Sequence, residues 1–199
     1  MKKLLLMAAI AVFGFTNVNA QEDESKGGFA KGDVYASGTV GFNSISQGEA
    51  KENEFTFSPA VGFFVNENIA LELNLVVGSA TSEFGGAEDK LNQFGAGIGA
   101  TYFFTPAERF SFTTGVGVVY INSKNEPAGG GEVKVDTFGV AVAPGINYFV
   151  SDCFALRASI GALSYTTSKA DFDGAEAVNT FALNLDLSDI NFGVTYKFN

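Results

Sequence analysis

Groups able to do chemistry are scarce in this chain. Its 199 residues include no histidine and a single cysteine, Cys153. Without imidazole, a Ser–His nucleophile pair, a His-ligated zinc or haem and histidine acid–base catalysis are all excluded. Acids are plentiful but lie in polar runs: Glu49, Glu52 and Glu54; Glu83, Glu88 and Asp89; Asp171, Asp173 and Glu176. The last three are the one place where a carboxylate dyad could arise, and such runs are more often solvated loop faces. No twelve-residue calcium-loop spacing supports a dedicated cation site, although the acids could recruit Ca²⁺ or Mg²⁺ bridging surface phosphates. Gly129-Gly130-Gly131 lacks the Lys-Ser/Thr and helix of a phosphate loop and reads as a flexible tip. Cys153 reads as a small hydrophobe near a turn. The expectation is a protein with no catalytic residues, cofactor or metal.

The elements that must carry these residues begin with an export segment. Met1-Lys2-Lys3 is a positive start, Leu4 to Phe15 an apolar run, and Asn17-Val18-Asn19-Ala20 a small-residue cleavage site. Residues 1–20 are therefore expected to be a signal peptide cleaved after Ala20. Residues 21–199 then carry ten basic and 22 acidic groups, a net charge of −12, which leaves no basic footprint for nucleic acid. No later apolar stretch approaches eighteen residues, so spanning helices are excluded. Residues 21–32 are polar and Gly-rich and read as a mobile lead-in, followed by one domain over 33–199.

From Asp33 onward the pattern alternates with period two. In 137–148 one parity is Phe138, Val140, Val142, Pro144, Ile146 and Tyr148, and the other Thr137, Gly139, Ala141, Ala143, Gly145 and Asn147. Large apolar side chains keep one face; Gly, Ser, Thr and Asn keep the other. Apolar outside and small-polar inside is the membrane-barrel pattern. Eight such segments occur, at about 33–43, 53–64, 69–79, 91–103, 110–122, 133–149, 154–166 and 188–198. Long polar connections (44–52, 80–90, 123–132, 167–187) alternate with short ones (65–68, 104–109, 150–153). The predicted fold is all-β: an eight-stranded antiparallel up-and-down transmembrane β-barrel with its long loops outside the cell.

Three phased turns set the register. Phe63-Phe64, Tyr102-Phe103 and Tyr148-Phe149 each precede a short turn of even length, after which come Ile69, Phe110 and Phe154. Even lengths preserve in/out parity. Phe63, Tyr102, Tyr148, Ile69, Phe110 and Phe154 are thus expected to face outward as a periplasmic girdle, and Phe64, Phe103 and Phe149 inward as a lumen floor. Three residues beyond the landmarks, Glu72 and Arg157 point inward on the opposed third and seventh strands. An eight-stranded lumen is just wide enough for side chains, so an ion pair is predicted there, surrounded by Asn74, Thr113, Asn147 and Ser159. Residues 180–190 fit poorly: Leu183, Leu185 and Leu187 share one parity, Ile190, Phe192, Val194, Tyr196 and Phe198 the other. Either a bulge near Ser188-Asp189 or a strand extension above the membrane is required.

Ser58-Pro59-Ala60-Val61-Gly62-Phe63-Phe64-Val65-Asn66-Glu67-Asn68-Ile69-Ala70-Leu71 and the closing Phe192-Gly193-Val194-Thr195-Tyr196-Lys197-Phe198 resemble the small OmpA/OmpX-type barrels, in particular the porin-family outer-membrane barrels of Bacteroidota. The resemblance implies residence in the Gram-negative outer membrane. It also implies contact with the bilayer and lipopolysaccharide, and delivery by the barrel-assembly machinery through Phe192, Val194, Tyr196 and Phe198. Asn199 departs from the usual terminal aromatic. The expected protein is a monomeric structural or surface-loop scaffold with a filled lumen, its acidic loops open to a surface ligand. The alternative is a narrow porin-like channel for water, ions or very small solutes.

Overall fold

The computed structural model describes residues 27–160, 162–184 and 190–198, so the signal-peptide reading and residues 21–26 of the lead-in lie outside the described residues. Ten antiparallel ladder segments follow one another: β1 (Val34–Gln47), β2 (Ala50–Phe64), β3 (Ile69–Phe84), β4 (Ala87–Phe103), β5 (Phe110–Glu126), β6 (Val133–Phe149), β7 (Phe154–Ile160), β8 (Ala162–Ala170), β9 (Val178–Asn184) and β10 (Ile190–Phe198). The first six are single barrel strands. β7 and β8 are the lower and upper halves of the seventh, both paired to β6, and β10 and β9 are the corresponding halves of the eighth. Pairing of β1 with β10 and of β5 with β6 completes the ring. The closed barrel has eight antiparallel strands.

Closure is what lets a sheet sit in lipid, because every backbone N–H and C=O must be satisfied within the protein. The pleat then sorts side chains. Leu71, Leu73, Leu75 and Val77 on β3 are exposed on the outside, and Phe138 and Val142 on β6 likewise. Their neighbours of opposite parity, Ala70, Gly78, Gly139 and Phe149, are buried.

The strands run further than polarity alone suggests. The expected loop 44–52 is a tight hairpin in which only Gly48 and Glu49 lie outside the ladder. The expected loop 80–90 shrinks to Gly85-Gly86, both at positive φ (57° and 84°), as a two-residue turn matched to strand twist requires. The third connection is 127–132 and the fourth 171–177. Polar composition marked water contact correctly, but an antiparallel ladder above the bilayer meets the same backbone demand as a loop and keeps its pairs.

Two register shifts occur on the last two strands. β6 pairs as Gly145↔Ser159 below and Val142↔Leu163 above, so strand seven holds one extra residue there. The shift switches the inward parity from Arg157 and Ser159 to Ser164 and Thr166. On the eighth strand the outward parity is Phe181 and Leu183 in β9 but Ile190, Phe192 and Val194 in β10. The change of face expected near residues 180–190 is therefore present, across residues 185–189, which lie outside the described residues.

The lead-in departs from its expected mobility over residues 27–32. Phe29 is 3% exposed, and Gly27 and Gly28 are also buried. Phe29 N–H donates to the Pro106 carbonyl (2.7 Å) and Gly32 N–H to the Phe64 carbonyl (2.9 Å), while the Lys197 ammonium donates to the Gly28 carbonyl (2.8 Å). The segment is held from three sides of the barrel mouth. Its one aromatic finds a slot among others, and that outweighs the flexibility its composition suggests.

Candidate functional site

The lumen floor is aromatic. Phe64, Phe103 and Phe149, at the ends of β2, β4 and β6, are each 0% exposed, as is Tyr35 on β1. Phe29 enters from below and touches all four, with ring centroids 4.6 Å from Phe64, 4.8 Å from Phe149, 5.1 Å from Tyr35 and 5.4 Å from Phe103. The contacts mix stacked, tilted and edge geometries, which suit ring quadrupoles. Gly27 and Gly28 let the segment approach: a Cβ on Gly28 would sit 2.5 Å from the Ala107 carbonyl oxygen.

Directly above lies a charged layer. Arg157 Nη1 donates to Glu72 Oε1 at 2.6 Å across the lumen, from opposed strands. The Tyr35 hydroxyl donates to the same oxygen at 2.7 Å, and the Thr101 hydroxyl to Oε2 at 2.7 Å. The guanidinium also lies 5.7 Å from the Tyr35 ring centre and 5.9 Å from that of Phe103. The two charged side chains are 17% and 21% exposed, so the pair is largely desolvated and depends on its partners. Gly62 makes the arrangement possible, because a Cβ there would run into the Tyr35 ring.

Of the four residues predicted around the pair, Asn74, Thr113 and Ser159 line the space above it, and Asn147 is 1% exposed beside it on β6. The carboxylate takes its donors instead from Tyr35 and Thr101. Those two, with Phe29, are what sequence reasoning missed. Tyr35 has the right parity, but β1 has no periplasmic hairpin before it to fix its height. With three donors from three other strands on one carboxylate, the cluster is a cross-brace of the lumen.

Above the brace the lumen differs from the expected filled core. A cavity of about 340 Å³ is lined by Ser37, Thr39, Ser58, Thr101 and Asn191 and by inward glycines including Gly99, Gly115, Gly117 and Gly145. The floor is packed and the storey above it is hollow.

The other predicted positions are placed as follows. Phe63, Tyr102, Tyr148 and Phe110 are exposed on the outer wall at the short-turn end, with Ile69 and Phe154 half-buried on the same belt. Phe192, Val194 and Phe198 face outward on β10, and Tyr196 packs its ring 5.0 Å from Phe154 and 5.2 Å from Phe198. Cys153 lies in the third short turn, where its carbonyl accepts from Lys197 N–H. Among the described residues no group of three or more acids and cysteines is placed to hold a metal ion.

A comparison with curated proteins finds no match. Among solved structures, the outer membrane protein OprG from Pseudomonas aeruginosa matches with a TM-score of 0.56 at 15% identity, over 86% of this chain and 98% of that one. The N-terminal β-barrel domain of OprF from the same organism matches with a TM-score of 0.52 at 13% identity, over 85% and 100%. At such identity the likeness is one of fold. The family model of the outer membrane protein β-barrel domain matches residues 8–198, nearly the whole chain. With its closed eight-stranded ring, lipid-ready exterior and that match, this chain belongs to the outer membrane protein β-barrel domain family and is a protein of the outer membrane.

Proposed function

We propose that this outer-membrane barrel is a non-conducting scaffold that presents four β-hairpins at the cell surface. The observation that carries this reading is the double closure of the lumen: the Phe29-centred aromatic floor, and the Glu72–Arg157 brace stacked on it. Eight strands leave room for little more than side chains, and aqueous channels belong to much wider barrels. Two layers of such groups in series leave no continuous water path. The acidic tips, with Glu49, Glu88 and Asp173 among their residues, are then the working surface, extended on ladders that hold them clear of the bilayer.

A second reading, a narrow channel for water or small ions, draws support from the glycine-lined cavity of about 340 Å³ above the brace. Single-channel recording of the refolded protein in planar bilayers separates the two. Silence is expected, with a heat-modifiable shift on gels showing that the silent sample is a folded barrel. Steady conductance steps would overturn the scaffold reading in favour of the channel.

A further inference from the structure

Strand eight is joined to its neighbours unequally. Its lower half, β10, pairs with β1 from Val34↔Phe198 to Thr39↔Gly193, and there the ladder stops. Above that point β1 runs on to Gln47 paired to β2, and the upper half of strand eight, β9, pairs with β8 alone among the described residues. The wall therefore carries a slot above Thr39, with β1 on one side and β9 and the start of β10 on the other. Its height follows from the outward residues. Val34 stands opposite the girdle residue Phe63, and Phe42 opposite Phe55. Beyond them the outward positions turn polar, to Ser44 and Ser46 on β1 and to Asn53 and Lys51 on β2. The apolar band on β1 thus ends at Phe42, and the slot begins inside it. Missing neighbours show in the side chains. Phe42 (75% exposed), Phe181 (71%), Phe192 (69%) and Val40 (68%) border the slot and are the four most exposed outward apolar side chains among the described residues.

The slot leads to the chamber of about 340 Å³ above the brace. Gly38, Thr39, Asn191 and Gly193, at the end of the β1–β10 ladder, all line it. Thr39 and Asn191 point inward by parity and are nonetheless exposed, whereas the other inward residues of the chamber are buried or half-buried. The opening is therefore at the foot of the slot. The interior is polar and electrically balanced. Glu72 has both oxygens engaged and its charge matched by Arg157. Thr113, 8% exposed, brings a hydroxyl with no hydrogen-bond partner among the described residues, and Ser58, Asn74 and Ser159 add further hydroxyl and amide groups. A polar chamber that opens through an apolar rim at bilayer height matches a molecule polar at one end and apolar at the other.

We infer that the chamber binds an uncharged single-chain amphiphile of the monoacylglycerol kind. Its head sits among Asn74, Thr113 and Ser159, and its chain passes between Val40 and Phe192 into the outer leaflet. The head supplies the donors and acceptors that buried hydroxyls and amides require. It carries no charge, because the Glu72–Arg157 pair is already balanced and a third charge there would be desolvated without a counterion. The volume lies at the small end of the roughly 300–1,000 Å³ of ligand pockets, which takes a head group and leaves the chain in lipid. The inference rests on the chain being an outer-membrane barrel and does not depend on whether the lumen conducts.

NMR of the refolded protein in phosphatidylcholine nanodiscs, titrated with monododecanoylglycerol, tests it. Saturable shifts are expected in the backbone amides of Thr113 and Ser159. Dodecyltrimethylammonium, and dodecanoate at about pH 9 where its head is ionised, are expected to bind at least about tenfold more weakly, since an uncompensated buried charge costs more than one factor of ten. Gly115→Leu fills the chamber from a position where an added Cβ meets nothing nearer than 3.6 Å, and Thr39→Phe narrows the opening. Each is expected to abolish the saturable shifts while the heat-modifiable gel shift persists. Val77→Phe, on the outer wall away from the slot, is expected to bind as the unaltered protein does. No saturable shift in the unaltered protein, equal binding of either charged amphiphile, or binding that survives in a folded Gly115→Leu or Thr39→Phe variant would each overturn the proposal.

Discussion

At the scale of the residue, the brace makes the sharpest demands. Glu72 is held by Arg157, Tyr35 and Thr101 at 2.6–2.7 Å in a largely desolvated layer. Removing one charge strands the other. Arg157→Leu is therefore expected to cost about 3–5 kcal/mol in urea unfolding from lipid vesicles. Adding Glu72→Leu to that variant is expected to restore most of the loss, because a neutral apolar pair leaves no orphaned charge. A double variant as unstable as the sum of the singles would show that the brace contributes through packing alone. The charged pair was legible in the sequence because even-length turns carry parity from strand to strand, and equal offsets from three turns give height. Tyr35 was not legible, because its contact depends on its direct cross-strand partner on β2 being a glycine, Gly62, which leaves room for its ring.

At the scale of the element, the N-terminal segment behaves as a fitted stopper. Phe29 contacts four rings that belong to four different barrel strands, so it can seat only after those strands have assembled. Phe29→Ala is expected to cost about 3–5 kcal/mol and to expose residues 27–32 to added protease, while the barrel's gel shift persists. Protease resistance equal to the unaltered protein would mean that the hydrogen bonds to the Pro106 and Phe64 carbonyls and from the Lys197 ammonium suffice. The hairpins invite a pH test. Glu132 has its carboxyl held below the usual range, first by the hydrogen bond from Lys124, and Lys124 is pushed upward mainly by the hydrogen bond it donates to Glu126. A lowered carboxyl means that pairing is fully present above the ordinary carboxylate range and is lost as pH falls through the lowered value. An NMR titration of the Glu132 carboxyl is expected to show a midpoint below that of a free glutamate, and Lys124→Gln to move it up. Both elements were misread from composition. Gly and acid content mark exposure and turn capacity, but whether a polar stretch is ladder or loop depends on partner strands, and whether Gly-Gly-Phe is free depends on a slot that exists only in the closed ring.

At the scale of the whole molecule, the strand number, the ring closure and the sidedness follow from period-two patterning and alternating connection lengths, because a bilayer leaves few other ways to satisfy a backbone. Whether the lumen is closed was less accessible. Inward residue types give volume strand by strand, whereas closure depends on which of them share a height. The aromatic floor and the brace lie one above the other, and on the proposed scaffold reading this makes an ordered prediction for conductance. Phe29→Ala alone leaves Phe64, Phe103, Phe149 and the brace in place, so its bilayer recordings are expected to stay silent. Arg157→Ser with Glu72→Ser opens the upper layer and leaves the aromatic floor, again with silence expected. Only a variant that joins Phe29→Ala and Phe103→Ala to both brace changes connects the cavity of about 340 Å³ to the periplasmic side, and steady small conductance is expected from it alone. Conductance from either partial variant would show that the layer it removes carries the seal alone.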